Sequence, residues 1–314
     1  MGCYSSCAKG SAAKKGRLAM SLHPQYARPR SLEQASELLS NLTSGAVIIA
    51  GGQEIMPSVN YGHLMPEIYV DIGGLQDLKG VKREGEEVSI GALTVHRDLQ
   101  NNTIVNDDLP LLAYSALQVG GGWQVHNRGT IGGNIVAMHP LYDILPSLIS
   151  LGAEVEVISS EGMRRVALSS LLRETSHGLG SASILSRIIV KKMDKQQGWA
   201  YEKLKITAGG YGSANAAAVV SMKDGRFSSL KVTVGAVCPM PVDVSDALSD
   251  LIDREWSDSL KDIISAKCIP LLSDALSDHQ GDGEWRQVMG GLMASRAVSA
   301  AAECCSSTTK KLDS

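Results

Sequence analysis

Two glycine-centred segments constrain this chain more than any other feature: Ala50-Gly51-Gly52-Gln53-Glu54 and Thr130-Ile131-Gly132-Gly133-Asn134. Paired glycines admit positive φ and let backbone N–H groups approach an anion with no Cβ in the way. A polypeptide can thereby cradle a pyrophosphate without a lysine. The first segment follows a short apolar run, Ala46-Val47-Ile48-Ile49, and the second follows a helix and the run Gly120-Gly121-Gly122. Taken singly, each reads first as a tight turn at the end of a sheet. The strand–GxGxxG–helix arrangement of a Rossmann dinucleotide site, with its acidic residue about 20 positions on, is absent. Asp143 stands nine residues past Asn134. It is near enough to receive a ribose hydroxyl if phosphates sit on the preceding loop, and it equally suits a helix N-cap or first turn.

The totals favour small-molecule chemistry. At 314 residues with 44% hydrophobic side chains the chain is long enough for two domains with real cores. A net charge of -3 gives no field of one sign, so neither a nucleic-acid groove nor a basic membrane face is implied. Cys3, Cys7, Cys238, Cys268, Cys304 and Cys305 form no CxxC pair, no zinc-spaced set with His and no iron–sulfur cluster pattern. They read as free thiols of a reducing cytoplasm. No apolar run approaches the roughly 18 residues of a membrane span, and no signal-peptide core is present, so the expectation is a cytoplasmic protein. The start MGCYSSC has the form of a myristoylation signal. Residues from Met20 onward read as the ordinary start of a folded domain, so residues 1–19 are taken as a disordered upstream or vector-derived extension.

Periodicity gives an alternating chain. Ser31-Leu32-Glu33-Gln34 has the capping-box form, and Leu32, Ala35, Leu38 and Leu39 share one helical face as far as Asn41. Strands are expected at 46–49, 68–72 and 88–92, a buried helix from Pro110 to Leu117, and an apolar helix at 143–151. Strands at 153–158 and 164–168 pair, and another runs over 184–192. After Gly198 the texture changes: strands at 201–206, 216–222 and 229–237, the last two joined through Asp224-Gly225, precede helices at 245–253, 259–275 and 284–302. These shifts divide the chain into an α/β part at 20–198, a sheet-and-helix part at 199–305 and a tail at 306–314.

The ordered set of motifs resembles the FAD-binding medium subunit of molybdenum hydroxylases, the group that includes carbon monoxide dehydrogenase and xanthine dehydrogenase. The likeness covers about Met20 to Ala302. It rests on Tyr26-Ala27-Arg28-Pro29, Ala50-Gly51-Gly52, Ile90-Gly91-Ala92, Leu109-Pro110-Leu111-Leu112 and Asn127 to Asn134. It continues through Pro140 with Asp143 and Pro146, Tyr201-Glu202-Lys203-Leu204, Val234 to Val237, and Trp285-Arg286.

The resemblance implies an α+β protein. Its parts would be a two-subdomain FAD domain of the vanillyl-alcohol-oxidase/p-cresol-methylhydroxylase type and a C-terminal three-stranded antiparallel sheet with helices. It places the FAD pyrophosphate on Ala50, Gly51, Gly52, Gln53 and Glu54 and on Thr130, Ile131, Gly132, Gly133 and Asn134. Asp143 is implied on the adenosine side, with Ile188 and Lys203 as further flavin-contact positions. No catalytic base, nucleophile or metal ligand belongs to this chain. The molybdenum cofactor and [2Fe–2S] clusters would lie in a large and a small partner subunit, as a dimer of heterotrimers, with NAD, a quinone or oxygen as acceptor. A stand-alone FAD oxidase and a degenerate assembly subunit are the alternatives. Several residues depart from the family pattern: Gln53-Glu54 follows the first glycine pair and puts a carboxylate near the phosphates, Met138-His139 precedes Pro140, Tyr142 precedes Asp143, and His126 stands where an arginine is common.

Overall fold

The structure is a computed structural model that describes residues 23–42, 45–174, 179, 182–207 and 209–312; the myristoylation-like start lies outside the described residues. The chain begins with β1 (Gln25–Ala27), α1 (Leu32–Asn41), β2 (Ala46–Ile49), α2 (Ile55–Asn60) and β3 (Ile68–Asp71). These strands form a parallel sheet in the order β1-β3-β2. The Ser31 side chain caps α1 by accepting from the Gln34 amide. Ala35 and Leu39, one turn apart, then bury against Val70, Ile72, Leu75 and Leu78.

The second unit starts with the hairpin β4 (Val81–Glu84) and β5 (Glu87–Gly91). A run of short helices follows: α3 (His96–Asn101), α4 (Thr103–Asp108), α5 (Pro110–Gln118), α6 (Gly122–Arg128), α7 (Ile131–Ala137) and α8 (Ile144–Ser150). Then come β6 (Glu154–Ser159), β7 (Gly162–Ala167), α9 (Leu168–Glu174) and β8 (Ile184–Lys191). The strands make an antiparallel sheet in the order β4-β5-β8-β6-β7. Alternation along β6 turns Val155 and Val157 inward, where they meet Leu112, Ile131, Ile135, Ile144 and Leu148 of the helices. The second glycine segment is therefore the N-terminal turn of α7 and not a free loop, with Thr130 as its N-cap accepting from the Gly133 amide at 3.1 Å.

The C-terminal part contains β9 (Gly198–Leu204), β10 (Ala214–Lys223), β11 (Arg226–Gly235) and β12 (Val242–Asp243), then α10 (Leu260–Cys268) and α11 (Gly283–Leu312). Three long antiparallel strands carry the two-residue β12 as a fourth at the edge. The helix expected at 245–253 is a 3₁₀ segment. The helix expected at 259–275 stops at Cys268, because Pro270 has no N–H for the ladder and opens a separate 3₁₀ turn.

β10 is covered on both faces. Ala216, Ala218 and Val220 pack on Ala294, Ala297 and Val298 of α11. Ala217 and Val219 face Leu111 of α5 and Tyr201. The alanines let both layers close, and the sandwich delivers β9 to the edge of the first domain. Arg286, fully buried, donates to the Ser213 and Ala236 carbonyls at 2.9 and 2.7 Å and pairs with Asp278, so it anchors the end of the loop that carries Tyr211. No helix among the described residues is long and apolar enough to cross a membrane.

Candidate functional site

A cleft of about 280 Å³ opens between the two α/β units, with the start of the C-terminal sheet domain at its rim. Gly51 to Glu54 form one wall, and Thr130, Gly132, Gly133 and Asn134 form another. Asp143 and Tyr211 also line it. Ile48, Ile72, Leu93, Ile184 and Leu185 supply an apolar surface suited to an aromatic ring.

The two glycine walls touch. A Cβ on Gly51 would fall 1.8 Å from the Arg128 carbonyl oxygen, and one on Gly132 would fall 2.6 Å from the Ala92 Cβ. Glycine is required at these positions for backbone-to-backbone approach. Gly52 has φ +73°, the left-handed region that favours glycine. Among the described residues the amides of Gly51, Gly52, Gln53 and Glu54 donate no hydrogen bond, so four N–H groups of this wall stand available to an anion.

The second wall differs. Ile131 donates to the Thr94 carbonyl at 3.0 Å and Gly132 to the Ala92 carbonyl at 2.8 Å, while Gly133 serves the Thr130 cap. Its glycines make room rather than present amides. Ile131 itself is fully buried in the core, and its side chain does not line the cleft. The same holds for Ile188, whose side chain points from β8 into the helices, whereas Ile184 and Leu185 on that strand reach the cleft.

Asp143 is buried at the base. Tyr201 donates to one of its oxygens at 2.9 Å, and the Lys203 ammonium lies 2.8 and 2.9 Å from the two. Burial pushes the Asp143 carboxyl above its ordinary range, and Lys203 and Tyr201 pull it back. Lys203 also donates to the Gln118 carbonyl. It is thus a buried ammonium that pins β9 to the end of α5 and the start of α8, not a surface lysine.

Sequence reasoning missed several cleft residues. His96, 2% exposed, lies beneath Gly129, where a Cβ would come within 3.1 Å of its ring. Burial lowers its pKa to about 4, with His126 nearby acting in the same direction. Gly120 and Gly121, read from the sequence only as a helix end, also line the cleft, and the Gly121 amide donates to the Gly209 carbonyl across to the Tyr211 loop. Glycine density was the available signal for them. For His96 there was none.

Comparison with known proteins decides the family. Residues 20–191 match the family described as FAD binding domain in molybdopterin dehydrogenase, and residues 199–301 match the CO dehydrogenase flavoprotein C-terminal domain. The chain belongs to this family. Its relatives include the carbon monoxide dehydrogenase medium chain of Hydrogenophaga pseudoflava, 32% identical over 88% of this chain and 96% of that one. Another is the caffeine dehydrogenase subunit beta of Pseudomonas sp. (strain CBB1), 26% identical over 88% and 94%. A solved carbon monoxide dehydrogenase structure from Hydrogenophaga pseudoflava superposes with a TM-score of 0.86, at 31% identity over 90% of this chain and 98% of its own.

The chain is accordingly the FAD-carrying medium subunit of a molybdenum hydroxylase of the carbon monoxide dehydrogenase type, and an oxidoreductase component. The residues present fit that cofactor: four unengaged amides belong to residues that line an apolar slot, and the buried Asn134 Oδ1 and His96 Nδ1 on its lining residues have no hydrogen-bond partner among the described residues.

Two outcomes follow. Gly51→Ala forces the wall away from the Arg128 carbonyl and is expected to weaken FAD binding at least tenfold, measured by flavin fluorescence titration. His96 is depressed in the folded state, so its stabilising neutrality is present above the unfolded pKa near 6.5 and is lost as pH falls. Between pH 7.5 and 5 the apo-protein should lose about 2 kcal/mol in urea unfolding through this residue, a loss that His96→Gln removes.

Proposed function

We propose that this chain relays electrons within a multi-subunit molybdenum hydroxylase, receiving them from a [2Fe–2S] partner and passing them to an external acceptor. The observation that carries this reading is the cleft, where the unengaged amides of Gly51 to Glu54 and an apolar slot share one space. Relatives named as subunits of dehydrogenases, one of them of a "dehydrogenase complex", support the multi-subunit setting.

Gly51, Gly52, Gln53 and Glu54 bind the pyrophosphate through their amides. Thr130, Gly132, Gly133 and Asn134 shape the facing wall. Asp143 offers its remaining lone pairs to a hydroxyl on the adenosine side, with Lys203 and Tyr201 fixing its orientation. Ile72, Leu93, Ile184 and Leu185 exclude water from the ring. When bound, FAD supplies acceptance of electrons singly and their delivery as a pair, which suits an iron–sulfur donor and an acceptor such as NAD, a quinone or oxygen. The domain division at about residue 198 follows the change from the β8 sheet to the C-terminal sheet.

Native purification tests this. The expected result is a yellow preparation with flavin absorbance and two co-eluting partners, one large and one small, and reduction of the flavin only when the partners are present. Flavin-dependent oxidation of a substrate by this chain alone would contradict it.

A further inference from the structure

Glu54, Tyr142 and His139 meet at one point. The Tyr142 hydroxyl donates to Glu54 Oε2 at 2.6 Å, so a residue beyond α7 reaches across to the first glycine wall. The Tyr142 ring stacks on His139, with centroids 4.8 Å apart and planes at 26°. His139 stacks in turn on Tyr211, at 5.3 Å and 24°. The Leu141 amide donates to His139 Nδ1 at 3.2 Å, which fixes the imidazole edge-on. The Tyr142 ring thus has little freedom, and its hydroxyl is aimed at one acceptor. Burial, followed by the Glu54 hydrogen bond, holds its phenol well above the ordinary range, so it stays a donor and not a phenolate.

Glu54 is the odd member of this wall. It closes the run whose amides stand free, and its side chain lines the same cleft. A carboxylate beside anion-binding amides repels a pyrophosphate, the more so in a cleft with apolar walls where screening is weak. A charged group held by a strong hydrogen bond in a fixed place has less freedom to reach those amides.

We infer that Tyr142 is the residue that makes Glu54 compatible with this site: its hydroxyl, steadied by the His139–Tyr211 stack, holds the carboxylate away from the phosphate-binding amides. This rests on the assignment of pyrophosphate to Gly51 to Glu54. The two residues form a compensated pair in which the carboxylate is harmful only when the phenol is lost. Tyr142 acts on the ligand through Glu54 and is a positioning residue.

The test is a double-mutant cycle read as FAD affinity by fluorescence titration, with ADP affinity as a second probe that carries the pyrophosphate but no flavin. Tyr142→Phe keeps the ring stack and frees the carboxylate, and should weaken both ligands about tenfold. Glu54→Gln keeps the backbone amide, removes the side-chain charge and sets the reference affinity of the site without the carboxylate. The double variant should recover to that level, so that the second substitution rescues the first. A double variant as weak as Tyr142→Phe overturns the inference and makes the hydrogen bond a simple clasp. Unchanged affinity in Tyr142→Phe overturns it as well. Failure of the unaltered chain to bind FAD or ADP overturns the phosphate assignment itself, whereas binding without rescue overturns only the pair.

Discussion

Everything in the site depends on how closely Gly51 approaches the carbonyl of Arg128. No side chain of any size fits between them, since even a methyl carbon would overlap that oxygen at 1.8 Å. The contact joins the parallel three-stranded sheet to the helical side of the antiparallel five-stranded one, and the cleft is the space left beside it. Gly129 over the His96 ring and Gly132 against Ala92 extend the same close packing along the second wall. Because the backbone of that wall is tied to residues 92–94, it cannot open without breaking two amide hydrogen bonds. The first wall, with its amides unengaged, is the one shaped for a ligand.

The C-terminal domain holds this arrangement from below. Lys203 and Tyr201 descend from β9 onto Asp143, and a buried charge pair of this kind is tolerated only when its remaining hydrogen-bonding capacity is met. Here the Gln118 carbonyl takes another ammonium proton. The pair specifies where β9 docks, which in turn sets the loop carrying Tyr211. Arg286 fixes the other end of that loop through the Ser213 carbonyl. The C-terminal domain thus positions one rim of the cleft although most of its own core lies elsewhere.

Much of this was legible in the sequence. The Ser31 cap, the β10–β11 hairpin at Asp224-Gly225 and the paired strands at 154–167 follow from local chemistry that packing did not override. Residues of both glycine segments and Asp143, picked out in the sequence, line one cleft. What was not legible depended on long-range contact. The sequence shows a Gly pair at 132–133 but not that its amides are already satisfied by Ala92 and Thr130. It offers Ile131 and Ile188 as site positions, and only the fold reveals that their side chains face the opposite way into the core. It shows Lys203 as a charge, whereas burial makes it a structural ion. Glu54 and Tyr142 stand 88 positions apart, and no periodicity could pair them.

The central claim is that the first glycine wall binds the cofactor phosphates through its backbone while the second wall shapes the space. Amide hydrogen exchange of the purified chain, with and without FAD, measures this directly. The account predicts strong new protection at residues 51–54 on adding FAD, and little change at 131–133, whose amides are bonded beforehand. Protection appearing at 131–133 with residues 51–54 unchanged would contradict it.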